Sequence, residues 1–202
     1  MKYPDNIREL GKLPVNFMGM IFYEKSPRYV DRLEWDDIKE SFVRGKERVG
    51  VFVNAGMDYI LQMTNKYNLD LIQLHGNESP DFCKELNKTM PVIKAFSIAE
   101  SSDFEQTKDY EGLCDYFLFD TKTPQYGGSG QKFDWCILDE YNGDTSFILS
   151  GGISADDASN IKAIRHPKFC GIDLNSKFEI EPGLKNIELL QQFIKTLSHE
   201  QD

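Results

Sequence analysis

Polar residues and glycines stand at the ends of three apolar stretches of the sequence, where they could take part in chemistry. They are Asp120 after residues 116–119, Gly151 and Gly152 after residues 147–150, and Asp173, Asn175 and Ser176 at the end of residues 171–174. A charge at the end of a buried strand is costly unless something uses it. In parallel α/β proteins, ligands bind at the C-terminal ends of the strands. The sequence therefore predicts an active site built from these three strand ends.

The paired glycines indicate a site for a phosphate group. Gly151 and Gly152 carry no side chain, so their backbone amides can approach an anion closely, and the loop 173–176 can add further donors. Asp173 is an acceptor, so we expect it to orient neighbouring donors or to contact a sugar hydroxyl. Ordinary turn geometry is the alternative for the glycines. Three more glycines follow Asp120 and are expected to let that loop close over a ligand, namely Gly127, Gly128 and Gly130.

Short apolar strands that alternate with amphipathic helices would position these residues. The predicted strands cover residues 17–22, 49–53, 71–74, 92–96, 116–119, 147–150 and 171–174. Most are apolar at consecutive positions, as expected when both faces are covered. The predicted helices cover residues 5–10, 34–46, 57–67, 80–86, 103–110, 135–140, 156–164 and 186–197. Strand and helix in alternation indicate parallel βαβ units.

The strand count favours one fold class, an α/β TIM (β/α)8 barrel from which the first β-strand is missing. Seven strands are visible and the chain opens on a helix, whereas a closed barrel needs eight strands. An open doubly wound sheet tolerates other numbers, so the glycines decide the preference. Gly151 and Gly152 after the penultimate strand match the phosphate site that such barrels form after strands seven and eight. We expect a single domain over residues 1–202.

Composition argues against several classes of function. The net charge of −10 argues against a nucleic-acid partner. The four cysteines lack CxxC spacing and histidine neighbours, so we expect neither a metal site nor a disulfide scaffold. No apolar run approaches the roughly 18 residues that a membrane helix needs, and there is no basic leader with an apolar stretch behind it. We expect a soluble, cytoplasmic protein with no membrane partner.

Six fragments, found in the order of a known family, make the sequence resemble the phosphoribosylanthranilate isomerases of tryptophan biosynthesis. They are GMIFYEKSPRYV (19–30), VGVFVN (49–54), LIQLHGNES (71–79), LFDTKTPQYGGSGQKFDW (118–135), LSGGI (149–153) and GIDLNSKFEIEPGLKN (171–186). The resemblance covers nearly the whole chain. It implies a (β/α)8 barrel that binds a small phosphosugar and is a monomer in its complete form. The implied reaction is an Amadori rearrangement of N-(5-phosphoribosyl)anthranilate to 1-(2-carboxyphenylamino)-1-deoxyribulose 5-phosphate, without a cofactor.

The resemblance also implies roles for single residues. Asp120 matches the general acid of the family, and desolvation at an apolar barrel mouth would favour its protonated form. Arg28 matches a residue near the anthranilate end of the substrate, where a guanidinium offers two parallel donors to a carboxylate. His75 matches a residue that hydrogen-bonds substrate. Each residue also has an alternative role. Asp120 could cap a turn at Thr121 or Thr123, Arg28 could form a surface salt bridge, and His75 could be a structural residue.

One part of the family pattern is absent from the sequence. Family members open with a strand that ends in Lys-(Val/Ile)-Cys-Gly-Met, whose cysteine is the general base, and Met1 aligns immediately after that Cys-Gly. Either the sequence begins at an internal methionine, which the intact remaining motifs favour, or the natural protein has lost its base. We expect this form to be catalytically impaired. We also expect either a disordered or rearranged region near residues 1–10, or self-association that covers the two unpaired sheet edges.

Two other functions stay open at this point. A different phosphosugar isomerase or a Schiff-base aldolase could use the same fold, and the aldolase would need a lysine at a strand end that faces the barrel mouth. Lys94 is the only candidate for that lysine. A non-catalytic barrel that binds a phosphosugar is the third possibility, because the expected base is absent.

Overall fold

A curled sheet of seven parallel strands forms the centre of the protein. The computed structural model describes residues 1–30, 34–121 and 133–198. The strands of the sheet are β1 (Phe17–Ile21), β2 (Glu47–Phe52), β3 (Leu71–Leu74), β4 (Val92–Ile98), β5 (Tyr116–Thr121), β6 (Phe147–Leu149) and β7 (Phe169–Ile172). They are hydrogen-bonded in the order in which they occur in the chain. This order excludes a doubly wound sheet, in which the strand order reverses at a switch point.

Helices connect consecutive strands, as parallel pairing requires. The α-helices are α1 (Pro4–Gly11), α2 (Trp35–Ile38), α3 (Met57–Tyr67), α4 (Pro80–Asn87), α5 (Ala158–Ala163) and α6 (Ile187–Ser198). The 3-10 helices are Lys39–Ser41, Ser101–Tyr110, Trp135–Glu140, Ala155–Asp157 and Ser176–Phe178. A small antiparallel hairpin, β8 (Glu179–Glu181) and β9 (Leu184–Lys185), lies between the last 3-10 helix and α6.

The apolar side chains of the strands form two separate clusters. The smaller cluster fills the concave side of the sheet and consists of Val49, Leu71, Ile93, Ala95, Leu118 and Ile148. The larger cluster includes the alternate strand residues together with the helices, for example Ile72, Phe117 and Phe119 with Ile60 and Leu86. Because side chains of a strand alternate between its two faces, the small cluster identifies which positions point into the barrel.

Local sequence signals explain several helix boundaries. Ser79 precedes α4, and its Oγ accepts a hydrogen bond from the backbone N–H of Phe82 at 3.2 Å, with Pro80 in the first turn. The helix α3 ends at Asn68, which has φ +48° in the left-handed conformation that often terminates helices. The predicted boundaries of α3 and β3 agree with the observed ones, and the other six strands differ from prediction by at most two residues at either end.

One prediction about secondary structure is wrong, and one element was not predicted. The helix predicted over residues 34–46 is reduced to α2 and the short 3-10 helix after it. The chain must reverse before β2, and it does so at Gly45 with φ +83°, a conformation that a continuous helix would not allow. The hairpin of β8 and β9 was not predicted, because strands of three and two residues carry no readable alternation.

The fold is a TIM-type α/β barrel, as the sequence predicts. Among the described residues, β1 is hydrogen-bonded to no strand other than β2, and β7 to no strand other than β6. Next to β1, the amino nitrogen of Met1 donates a hydrogen bond to the carbonyl oxygen of Gly19 at 2.8 Å. No helix in the described part of the chain is both long and apolar enough to span a membrane. The predicted loop glycines Gly127, Gly128 and Gly130 lie outside the described residues.

Candidate active site

Strand alternation directs several polar side chains toward the barrel mouth. In β5, Leu118 belongs to the small inner cluster, so Asp120 lies on the same face and nearer to the C-terminal end. In β6, Ile148 belongs to that cluster and Ser150 follows two residues later. After β7, Asp173 follows Gly171 by two residues, and Gly171 pairs with Ile148 in the sheet. The three strand ends singled out in the sequence therefore converge on one edge of the barrel.

Asp120 and His75 form a contact at the centre of this edge. His75 Nε2 lies 3.1 Å from Asp120 Oδ2, and the two side chains are 18% and 14% exposed. The other carboxylate oxygen, Oδ1, accepts a hydrogen bond from the backbone N–H of Thr121 at 2.9 Å. The turn-capping contact considered for Asp120 is thus present, but it uses one oxygen and leaves the other directed at His75. The carboxyl group stays partly accessible to a ligand.

Gly151 has no room for a side chain, because it packs against the end of β5. A Cβ built there would lie 2.6 Å from the backbone nitrogen of Thr121 and 2.8 Å from Asp120 Oδ1, and its φ of +90° disfavours other residues. Gly152 follows with φ +65°. Two consecutive residues in this conformation turn the backbone sharply at the strand end. The backbone of this turn, without a side chain at Gly151, therefore lies beside Asp120.

Asp173 is half-buried, next to the glycine turn. Its Oδ2 accepts a hydrogen bond from Ser150 Oγ at 3.1 Å. The expectation that Asp173 orients donors or contacts a sugar hydroxyl stays a prediction. Burial raises the pKa of the Asp173 carboxyl, Lys185 acts in the opposite direction, and the nearby Asp120 raises it further. Two carboxyl groups close together cannot both ionise easily. A greater tendency to hold a proton reduces the repulsion that Asp173 would exert on an anionic ligand.

Asn175 and Ser176 lie at the start of the 3-10 helix Ser176–Phe178. Asn175 Oδ1 accepts a hydrogen bond from Lys185 Nζ at 2.9 Å, and its backbone oxygen accepts one from Phe178 N–H at 3.0 Å. Phe178 is fully buried and anchors the segment against α6 through a ring contact with Phe193. The loop predicted to contribute to a phosphate site is therefore held by both a cation and the core.

Arg28 lies in the loop after β1 and is held by a carboxylate from another part of the chain. Its Nε and Nη2 lie 2.8 and 2.7 Å from Glu179 Oε2. The side chains are 13% and 4% exposed, so this is a nearly buried pair and not the surface salt bridge that was the alternative. No bond of the guanidinium to Asp120 or His75 is present among the described residues.

Sequence reasoning missed three buried or nearly buried ion pairs around the site. Glu179 pairs with Lys185 as well as with Arg28. Lys94 pairs with Glu78 at 3.1 Å, and both of these side chains are 3% exposed. The available signal was the presence of charged residues inside or next to otherwise apolar segments, since unpaired charges are almost never buried.

Lys94 does not face the barrel mouth, which removes the basis for an aldolase. Its neighbours Ile93 and Ala95 belong to the inner cluster, so the Lys94 side chain lies on the face of the helices. There Nζ donates hydrogen bonds to the carbonyl oxygens of Leu74, Gly76 and Ala95. These bonds hold the turn after β3 and hence the position of His75.

The four cysteines lie away from the mouth of the barrel. Cys83 and Cys114 are buried, in α4 and just before β5, while Cys136 and Cys170 are accessible. Cys170 donates to the carbonyl oxygen of Phe147, at the start of β6. None of them takes the position of the base that the resemblance implies. Among the described residues, no group of three or more His, Cys, Asp and Glu side chains could hold a metal ion.

Comparison with known proteins gives one consistent result. The model of a family described as N-(5'-phosphoribosyl)anthranilate (PRA) isomerase matches residues 2–196. A protein of this name from Parabacteroides distasonis is 51% identical over 201 residues, which are 98% of this chain and 91% of the relative. The crystal structure of phosphoribosyl anthranilate isomerase from Thermus thermophilus superimposes with a TM-score of 0.86 at 26% identity, covering 98% of this chain and 95% of that one.

A further solved structure similar to this chain contains a ligand. It is a phosphoribosyl anthranilate isomerase in complex with reduced 1-(o-carboxyphenylamino)-1-deoxyribulose 5-phosphate. It has a TM-score of 0.73 and 30% identity, and covers 91% of this chain and 87% of the other. That ligand carries a carboxylate at one end and a phosphate at the other.

Proposed function

The chain belongs to the N-(5'-phosphoribosyl)anthranilate isomerase family, and from this premise we propose which of its residues serve the Amadori rearrangement. The reaction converts N-(5-phosphoribosyl)anthranilate to 1-(2-carboxyphenylamino)-1-deoxyribulose 5-phosphate. The observation that carries the proposal is the position of Asp120, which faces the barrel mouth 3.1 Å from His75 and beside the turn at Gly151. An acid, a hydrogen-bonding partner and an amide-rich turn are thus next to one another.

Asp120 acts as the general acid in this proposal. Its proton goes to the ring oxygen of the ribose, the bond between that oxygen and C1 breaks, and the nitrogen lone pair forms a C1–N double bond. A base then removes the proton from C2, which gives an enol that tautomerises to the ketone. The product is an isomer of the substrate, so no redox partner or cofactor is required. The resemblance assigns the base to a cysteine in a strand that aligns before Met1.

The two ends of the substrate are held by two different sets of residues at the mouth. Arg28 binds the anthranilate carboxylate through the edge of its guanidinium that Glu179 leaves open. The backbone around Gly151 and Gly152, together with the loop of Asp173, Asn175 and Ser176, binds the phosphate. His75 shares a hydrogen bond with Asp120 and contacts the sugar.

Further properties of the protein follow as proposals. All four cysteines are free thiols, which fits a reducing compartment, and we place the protein in the cytoplasm. Its ligand is the phosphosugar alone, with no nucleic-acid or membrane partner. We infer that the complete barrel is monomeric, whereas the edges of β1 and β7, which have no further partner strand among the described residues, favour self-association of this form.

Calorimetric titration with reduced 1-(o-carboxyphenylamino)-1-deoxyribulose 5-phosphate tests the proposed ligand without requiring turnover. The protein should bind this compound, and excess inorganic phosphate should compete with it. Arg28→Met should weaken binding, because it removes the donors for the carboxylate, while Arg44→Met at an exposed position serves as the control. Absence of binding, or equal binding by Arg28→Met, would contradict the proposal.

A further inference from the structure

The hairpin of β8 and β9 lies outside the barrel sheet, yet two of its three charged residues are nearly buried. Glu179 and Lys185 are paired across the hairpin, and their side chains are 4% and 10% exposed. Lys185 Nζ lies 3.3 Å from Glu179 Oε1, which also accepts a hydrogen bond from Gly183 N–H at 3.2 Å. Gly183 has φ +89° and forms the turn. Burial of both charges is sustainable because each has several partners.

Glu179 fixes the orientation of Arg28. Two nitrogens of the guanidinium, Nε and Nη2, lie within 2.8 Å of the same oxygen, Glu179 Oε2. A guanidinium held along one edge can still donate from Nη1 and from the second N–H of Nη2. No described residue accepts a bond from Nη1 of Arg28. The carboxylate therefore sets the direction in which Arg28 presents its remaining donors.

Lys185 extends the contact from Glu179 to the loop after β7. Its Nζ donates to the carbonyl oxygen of Leu174 at 3.1 Å and to Asn175 Oδ1 at 2.9 Å. The backbone of Lys185 is itself fixed, since its N–H and carbonyl oxygen exchange hydrogen bonds with Asn6 in α1 at 2.8 and 2.9 Å. A continuous series of hydrogen bonds thus runs from Arg28 to the loop of Asn175.

The charges in this series depend on one another. Burial alone would raise the pKa of Glu179, but Arg28 and Lys185 outweigh it and hold that pKa below the usual range. Burial lowers the pKa of Lys185, against the opposing effects of Glu179 and Asp173. Removing the carboxylate would leave two nearly buried cations without their shared partner, which is strongly unfavourable. Either cation would then adopt another position.

We propose that Glu179 is a positioning residue for the substrate, which orients Arg28 toward the anthranilate carboxylate and, through Lys185, holds the loop that binds the phosphate. This inference rests on the proposed function, because it assigns the two ends of the ligand to Arg28 and to the loop of Asn175. In this inference Glu179 contacts no reacting atom, and it links the residues that bind the two ends of the ligand.

The test compares the affinity of two reduced product analogues, one with the anthranilate carboxylate and one with a plain phenyl ring. Both are titrated by calorimetry into the wild type, Glu179→Gln and the matched control Glu181→Gln, an exposed residue of the same hairpin that contacts Tyr3. Glu179→Gln should bind the carboxylated analogue about 10-fold more weakly, a loss typical of residues that orient a ligand-binding group. It should lose most of the preference for the carboxylated analogue, and Glu181→Gln should retain both affinities.

The outcomes separate the inference from the proposed function. If the role of Glu179 were purely structural, Glu179→Gln would weaken the binding of both analogues equally. That result would overturn the inference, and so would an unchanged preference for the carboxylated analogue. If the wild type binds neither analogue, the proposed function itself fails. Should Glu179→Gln not fold, as judged by thermal unfolding, Glu179→Asp replaces it. The shorter carboxylate of Glu179→Asp cannot reach both Arg28 and Lys185. We therefore expect this variant to lose part of the preference for the carboxylated analogue. An unchanged preference would overturn the inference.

Discussion

Gly151 and Gly152 form the residue-scale feature on which the phosphate end of the site depends. Gly151 has no space for a Cβ, because atoms of Thr121 and Asp120 lie within 2.8 Å of the position that a Cβ would take. Both glycines have positive φ, which costs about 1–2 kcal/mol for a residue with a side chain. The backbone conformation and the close approach together explain why no other residue type suits this turn.

Replacing Gly152 with aspartate should reduce affinity for the phosphate end of the ligand. Gly152→Asp puts a carboxylate next to amides that bind a dianion, so we expect the reduced product analogue to bind at least about 10-fold more weakly. Calorimetry measures this affinity. Gly112→Asp is the matched control, because Gly112 also has positive φ, at +71°, and open space around it. Equal affinities in the two variants would place the phosphate elsewhere.

At the scale of elements, the edges of β1 and β7 determine whether the sheet can close. Each has one described partner strand, and the backbone of Met1 already donates to Gly19 in β1. Burial lowers the pKa of the Met1 amino group to about 5, so this position disfavours a positive charge. An amide N–H could make the same hydrogen bond without a charge. A residue joined at Met1 would therefore keep this hydrogen bond and remove the disfavoured charge.

A peptide joined at Met1 and ending in Lys-Val-Cys-Gly should stabilise the barrel. Its strand would pair with both open edges, and each kcal/mol gained raises the Tm of a chain of this size by about 2–4 °C. The same peptide with alanine in place of cysteine should give an equal rise, because the pairing is made by the backbone. Calorimetric unfolding measures the Tm, and sedimentation should show less self-association in both extended forms. Unchanged Tm values would mean that neither edge accepts the strand.

The elements differ in how far the sequence could predict them. Alternating strands and helices led to the barrel, because the strands of the sheet contain apolar runs that can be read from the sequence, including the three apolar residues of β6. The helix predicted over 34–46 failed, since the local pattern does not show that the chain must turn at Gly45. Hairpin β8–β9 is too short for any periodicity, and its role depends on contacts between Glu179 and Arg28, which lie 151 positions apart.

At the scale of the whole molecule, topology brings distant residues to one edge. Parallel strands in chain order place the ends of β3, β5, β6 and β7 side by side, so His75, Asp120 and Asp173 become neighbours. The sequence could predict that these residues share an edge. It could not predict that Lys94 faces the helices or that Arg28 is held by Glu179, because both depend on side-chain packing. The prediction of a single domain over residues 1–202 stays a prediction.

Turnover of N-(5-phosphoribosyl)anthranilate, followed as loss of its fluorescence, tests the account most directly. The chain joined at Met1 to the segment ending in Lys-Val-Cys-Gly should convert the substrate, and the chain without that cysteine should be slow. Asp120→Asn in the extended form should lower kcat by about 10²–10⁴-fold, the usual effect of removing a general acid, with little change in KM. No turnover by the extended form, or a kcat unaffected by Asp120→Asn, would contradict the assignment of this site to the rearrangement.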